Sequence, residues 1–173
     1  IEQHGYTIEE IDELLNKNYF LYITVHTNSE LKIMQKKYKA YPNVKCFKLD
    51  ITDPKDREYL KKLDIDILVS NAAMGESGSV AEIDIDKIRN NFETNVFANF
   101  EVVQIVLKNM LRKGQGRLIM MASLAGIIPI PFLGSYCATK ASIIKLTEAL
   151  KLELKRLPSD IDVCLIEPGL YST

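Results

Sequence analysis

Five apolar, β-rich runs recur along the 173-residue chain, with helix-sized segments between them. They are YFLYITV (19–25), NVKCFKL (43–49), IDILVS (65–70), GRLIMMAS (116–123) and IDVCLIEPG (161–169). A Thr7/Glu10 capping box opens a first helix that runs to about Lys17. Further helices are expected from Asn28 or Ser29, with Leu31 and Met34 inward, and from Asp53-Pro54, with Leu60 and Leu63 inward. One long helix, or two joined, is expected over about Asp84 to Lys113, and another from Ser135 to about Arg156. Segments of this size between strands are β-α crossovers, which require parallel strands with helices on both faces. The expectation is a single α/β domain over residues 1–173, built on a doubly wound parallel sheet. IDILVS reads as a strand covered on both faces.

Sheets of this kind bind ligands beyond the carboxyl ends of their strands. The polar signatures fall there: Asp50, Ser70-Asn71, Ser123 and Pro168-Gly169 all end or follow an apolar run. Composition narrows the chemistry. A net charge of −1 offers no electrostatic footprint for nucleic acid or an anionic membrane. Cys46, Cys137 and Cys164 are odd in number and lack C-x-x-C spacing, so neither a disulfide framework nor a zinc site is expected, and a reduced cytoplasmic setting is. His4 and His26 are too few for a histidine metal site or a Ser-His-Asp triad, and no apolar run is long enough to span a bilayer.

In GSYCATKASI (134–143), Tyr136 and Lys140 stand four apart at the start of a helix and share a face. The same spacing at Tyr41 and Lys45 carries no such meaning, because Pro42 and a strand follow. Ser123 ends a strand thirteen residues before Tyr136. A hydroxyl and a phenol at one sheet edge can bind one substrate oxygen. A nearby lysine cation favours the phenolate, lowering a pKa that is ordinarily about 10. This is acid-base chemistry on an oxygen. Taken singly, each residue has an ordinary structural use: a serine caps, an aspartate turns, a mid-helix asparagine faces water.

The ordered set Asn95, Ser123, Tyr136 and Lys140, with SNAA (70–73) and EPG (167–169) after strands, resembles the short-chain dehydrogenase/reductase family of the classical type, whose fold is Rossmann-like. The resemblance implies an NAD(P)-dependent oxidoreductase that interconverts a carbonyl and an alcohol. Tyr136 would be the general acid/base, Lys140 would lower its pKa and hold the nicotinamide ribose, Ser123 would polarise the carbonyl, and Asn95 would bind a relay water. Asp50 and Ile51 would meet the adenine, Asn71, Ala72 and Ala73 would line the cofactor, and Pro168, Gly169 and Thr173 would lie by the nicotinamide. Ser70 and Ala73 stand where the family often has Asn and Gly.

The family's glycine-rich first turn does not appear; Gly5 matches its last glycine at most, and the strand before it is absent, as is the family's last strand. A chain that started at Ile1 would leave a gap in the middle of the family's sheet, so the sequence is expected to be incomplete at both ends. After YFLYITV the turn Val25-His26-Thr27-Asn28 holds no acid, and His26 stands where NADP-dependent relatives often carry Arg, so NADP is preferred over NAD. GIIPIPFLGS (126–135), with Met74 and Tyr171, is either the wall of an apolar substrate pocket or a loop buried in the core. The resemblance implies a homodimer or tetramer through the two long helices. Two other readings keep the fold: a non-catalytic dinucleotide-binding regulator, and an extended-type sugar-nucleotide epimerase or dehydratase.

Overall fold

The computed structural model describes residues 8–17 and 19–169, so the Thr7 capping position, Gly5, Tyr171 and Thr173 lie outside the described residues. Its contacts form two compact units, one of Gly5–Tyr59 and one containing Leu60–Thr173.

In the first unit, α1 (Ile8–Leu15) precedes β1 (Leu21–Val25), α2 (Asn28–Lys37), β2 (Val44–Lys48) and α3, which starts at Pro54 and reaches Leu60. β1 and β2 run parallel, from the pair Leu21 and Val44 to the pair Val25 and Lys48. Thr27 caps α2 by a reciprocal box: its hydroxyl accepts from the Glu30 amide at 3.2 Å, and the Glu30 carboxylate accepts from the Thr27 amide at 2.8 Å. Leu31 and Met34 are half-buried, as expected for the inner face, whereas Ile33 faces water. Tyr38 ends the helix buried, its phenol donating to Asp12 on α1 at 3.1 Å.

The second unit carries β3 (Ile67–Ser70), α4 (Ile85–Phe92), a π-helical turn (Glu93–Ala98), α5 (Asn99–Lys113), β4 (Gln115–Met121), a 3-10 turn (Leu124–Gly126), α6 (Gly134–Leu154) and β5 (Asp160–Ile166). The three strands form one parallel ladder in the order β3-β4-β5. Its core is Val103, Val106 and Met110 of α5 packed with Leu118 and Met120 of β4, Leu154 of α6 and Val163 of β5. α5 stops where Gly114 turns left-handed at φ 75°, a conformation that costs glycine little.

The parallel sheet and crossover helices are as expected, and no ladder joins β1 to β3 among the described residues. The long helix is two α-helices fused through the π turn rather than one regular helix. β3 departs from expectation: it starts at Ile67, not residue 65, and Ile67 is 42% exposed.

Candidate active site

The carboxyl end of the β3-β4-β5 ladder gathers most of the expected residues. Ser123 lies two residues beyond β4 in extended conformation, and its hydroxyl accepts from the Ala125 amide at 3.2 Å, capping the 3-10 turn. The capping use and the functional one therefore coexist in this serine. Pairing between the loops continues past the strands: the Ala122 amide donates to Ile166 at 2.8 Å and the Leu124 amide to Pro168 at 2.9 Å. Pro168 is thereby held beside Ser123, with Gly169 exposed next to it. Gly126 allows the turn to lie on α6, because a Cβ there would sit 2.8 Å from the backbone carbon of Lys140.

Tyr136 and Lys140 occupy successive turns of α6, the ammonium 5.6 Å from the centre of the phenol ring. Lys140 is buried and donates to the Met121 carbonyl at 2.9 Å. Burial alone pushes its ammonium down to about 8. Burial pushes the Tyr136 phenol up; the facing Ser123 hydroxyl pulls the other way, and the neighbouring Cys137 adds to the rise. Lys140 is not among the groups that shift the phenol here. The cation is turned toward Met121, and desolvation dominates at the phenol.

Asn95 is fully buried in the π turn rather than facing water. Its side-chain amide accepts from the Met74 amide and donates to the Met74 carbonyl, both at 2.8 Å, and donates to the Thr139 hydroxyl at 3.0 Å. One turn either way, Asn91 donates to the Ser135 hydroxyl at 2.8 Å and Asn99 to the Ala72 carbonyl at 3.0 Å, while Ser70 donates to Asn99. Asn95 and Asn99 thus staple residues 70–74, the segment holding Asn71, Ala72 and Ala73, onto the helix. Residues four apart drift by about 40° around an α-helix. The wider π turn counters that drift and keeps all three asparagines inward. Asn91, Asn99, Ser135 and Thr139 were not singled out from sequence, although the spacing of Asn91, Asn95 and Asn99 in NNFETNVFAN was available as a signal.

In the first unit His26 and Asp50 meet at the ends of β1 and β2, with Nε2 to Oδ2 at 3.4 Å. Burial pushes the Asp50 carboxyl up, but hydrogen bonds from the Thr52 hydroxyl and amide, together with His26, hold it below the usual range. Asp50 is therefore a turn former as well as a candidate contact, and the Ile51 carbonyl accepts from Arg57. Glu30, the nearest acid after β1, is engaged by Thr27.

The loop before α6 exposes its apolar residues: Ile127, Ile128 and Phe132 are all more than half exposed. Phe132 sits at φ 64°, an uncommon conformation for an aromatic residue, with its carbonyl taken by the Gly78 amide at 2.8 Å. Among the described residues no helix is long and apolar enough to cross a membrane, and no group of His, Cys, Asp and Glu has the makings of a metal site.

The profile of the short chain dehydrogenase family matches residues 5–173. A probable short-chain type dehydrogenase/reductase of Helicobacter pylori, VdlC, is 35% identical over 130 residues, 72% of this chain and 47% of its own. An NADPH-dependent 3-dehydrocapnine reductase of Ornithobacterium rhinotracheale is 28% identical, over 94% of this chain and 60% of its own. The crystal structure of a short-chain dehydrogenase from Streptomyces avermitilis superposes with a TM-score of 0.85 at 25% identity, covering 94% of this chain and 62% of that one. The chain belongs to the short-chain dehydrogenase family. It spans roughly half the length of the curated relatives it matches.

Proposed function

We propose that the protein is an NAD(P)-dependent oxidoreductase that interconverts a carbonyl and an alcohol, with Tyr136 as the proton donor and acceptor. The observation that carries this reading is the meeting of the Ser123 hydroxyl with a half-buried phenol one helical turn from a buried ammonium. The nicotinamide supplies or accepts the hydride when bound. Lys140 fits such a cofactor: a buried ammonium has three donors, and Met121 is its one hydrogen-bond partner among the described residues, so a ribose diol would find donors waiting. Asn71, Ala72 and Ala73 would line the cofactor, and Pro168, Gly169 and Thr173 would lie by the nicotinamide. Ser123 would hold the substrate oxygen while Tyr136 gives or takes its proton.

An ordinary phenol is protonated at neutral pH, and burial pushes Tyr136 further the same way, toward the state needed to donate to a carbonyl oxygen during reduction. NADP would be the preferred cofactor, since Glu30, the nearest acid after β1, is engaged by Thr27 and His26 stands about where NADP-dependent relatives often carry Arg; Asp50 and Ile51 would face the adenine. One relative's name specifies NADPH, which supports the choice. The exposed Ile127, Ile128 and Phe132 favour an apolar substrate, and Phe97, Leu146 and Leu152, exposed on the two long helices, favour a homo-oligomer.

Fluorescence titration of the protein with NADPH and NADH separately, then turnover of a carbonyl panel by wild type and Tyr136→Phe, tests the reading. Selective NADPH binding retained in Tyr136→Phe, with turnover lost, is the expected result. Turnover that survives Tyr136→Phe would remove the assigned role; cofactor binding by wild type without turnover of any carbonyl would favour the dinucleotide-binding regulator, and binding of neither cofactor would overturn both readings.

A further inference from the structure

We infer that Asn91, Ser135 and Thr139 are positioning residues: two hydrogen-bonded rungs fix the register of α6 against the helix carrying the π turn, and so place Tyr136 and Lys140. The inference rests on the proposed roles of that pair. The rungs match in spacing. Asn91 donates to Ser135 at 2.8 Å and Asn95 to Thr139 at 3.0 Å, four residues apart on both helices. Tyr136 and Lys140 each follow a rung residue by one position. The Thr139 hydroxyl in turn donates a hydrogen bond to the Tyr136 carbonyl at 2.8 Å, and Asn95 is itself clamped to the Met74 backbone. A chain of polar contacts thus runs from the segment after β3 to the backbone of the reacting tyrosine.

Three features make such a lock necessary. The start of α6 has no side-chain cap of its own, since Leu133 occupies the N-cap position. The α6 surface around the pair is built of small residues (Ala138, Thr139, Ala141, Ser142), which give few knobs to define register. Asn91 is fully buried with its carbonyl oxygen lacking a partner among the described residues, where an aliphatic side chain would be the better core residue. A locally unfavourable buried amide at this place is consistent with selection for geometry over stability.

The test uses Asn91→Leu, Ser135→Ala, their double variant, and Thr139→Val in the intact protein. Turnover at saturating substrates is read beside the titration of a 13C-labelled Tyr136 ring, its NMR signal assigned by its loss in Tyr136→Phe. A misplacement of about 1 Å costs up to about 100-fold in rate, so the expected loss is at least about 10-fold for each single variant, with a displaced Tyr136 titration. The double variant should be no worse than its worse single, because both residues belong to one rung. Thr139→Val is nearly isosteric and decides the matter if Asn91→Leu does not fold. Variants with lowered Tm but wild-type turnover and Tyr136 titration would overturn the lock. Turnover surviving Tyr136→Phe would instead sink the catalytic reading, and the NMR titration would still report on the lock.

Discussion

Replacing Lys140 by Met should make the cofactor-free protein more stable while abolishing its activity. Lys140 is 3% exposed, its hydrogen bond goes to the Met121 carbonyl, and no carboxylate pairs with it among the described residues. Burial pushes its ammonium from 10.5 down to about 8. That gap corresponds to about 3 kcal/mol of cost for the charged form, at about 1.4 kcal/mol for each tenfold change. The sign follows from proton counting. Below pH 8 the lysine is charged in both states, and the folded protein carries the full cost. Between about 8 and 10.5 the unfolded chain binds more protons than the folded one, so stability rises with pH and the cost disappears. Met fills the same apolar space but leaves the Met121 carbonyl without its donor, which returns about 1–2 kcal/mol. The variant should therefore gain about 1–2 kcal/mol at pH 7 in urea unfolding, and lose that advantage by pH 10.5. A variant less stable than wild type at pH 7, or a difference that does not change with pH, would refute the burial argument.

Gly126→Ala would place a Cβ 2.8 Å from the Lys140 carbonyl carbon and 2.9 Å from the Ala141 amide nitrogen, both backbone atoms that cannot rotate away. The turn carrying Ser123 must lift, so a loss of about 1–3 kcal/mol by urea unfolding is expected, together with reduced turnover. His26→Asp would place a carboxylate beside Asp50 at the end of β1. The expected result in paired titrations is at least about a tenfold loss of NADPH affinity relative to NADH, because like charge repels the extra phosphate; an unchanged ratio would show that His26 does not set the preference.

Much of the fold was legible because it is written in local patterns. Apolar runs spaced by crossover-length segments sufficed for parallel strands, and the second helix starts at Asn28 as expected, although the Thr27/Glu30 box that caps it was not singled out. The positions of Ser123, Asn71 and Pro168 at strand ends followed from the same periodicity, since a residue after a buried run must emerge at the sheet edge. The pairing of Tyr136 with Lys140 was equally local, one turn of one helix.

What only the tertiary structure decided depends on groups far apart in sequence. Whether GIIPIPFLGS is buried or exposed could not be read from its letters, because an apolar loop looks alike in both settings. The upward push on the Tyr136 phenol comes first from desolvation, which depends on the whole surrounding shell, whereas spacing reports only the neighbouring lysine. Asn91, Asn95 and Asn99 find partners 21 to 44 residues away in sequence, among Ala72, Met74, Ser135 and Thr139. The sequence by itself determined which elements form and which polar residues reach the strand ends. Packing decided which buried amide meets which hydroxyl, because a hydrogen bond requires a donor and an acceptor within about 3 Å and only the folded chain brings them there.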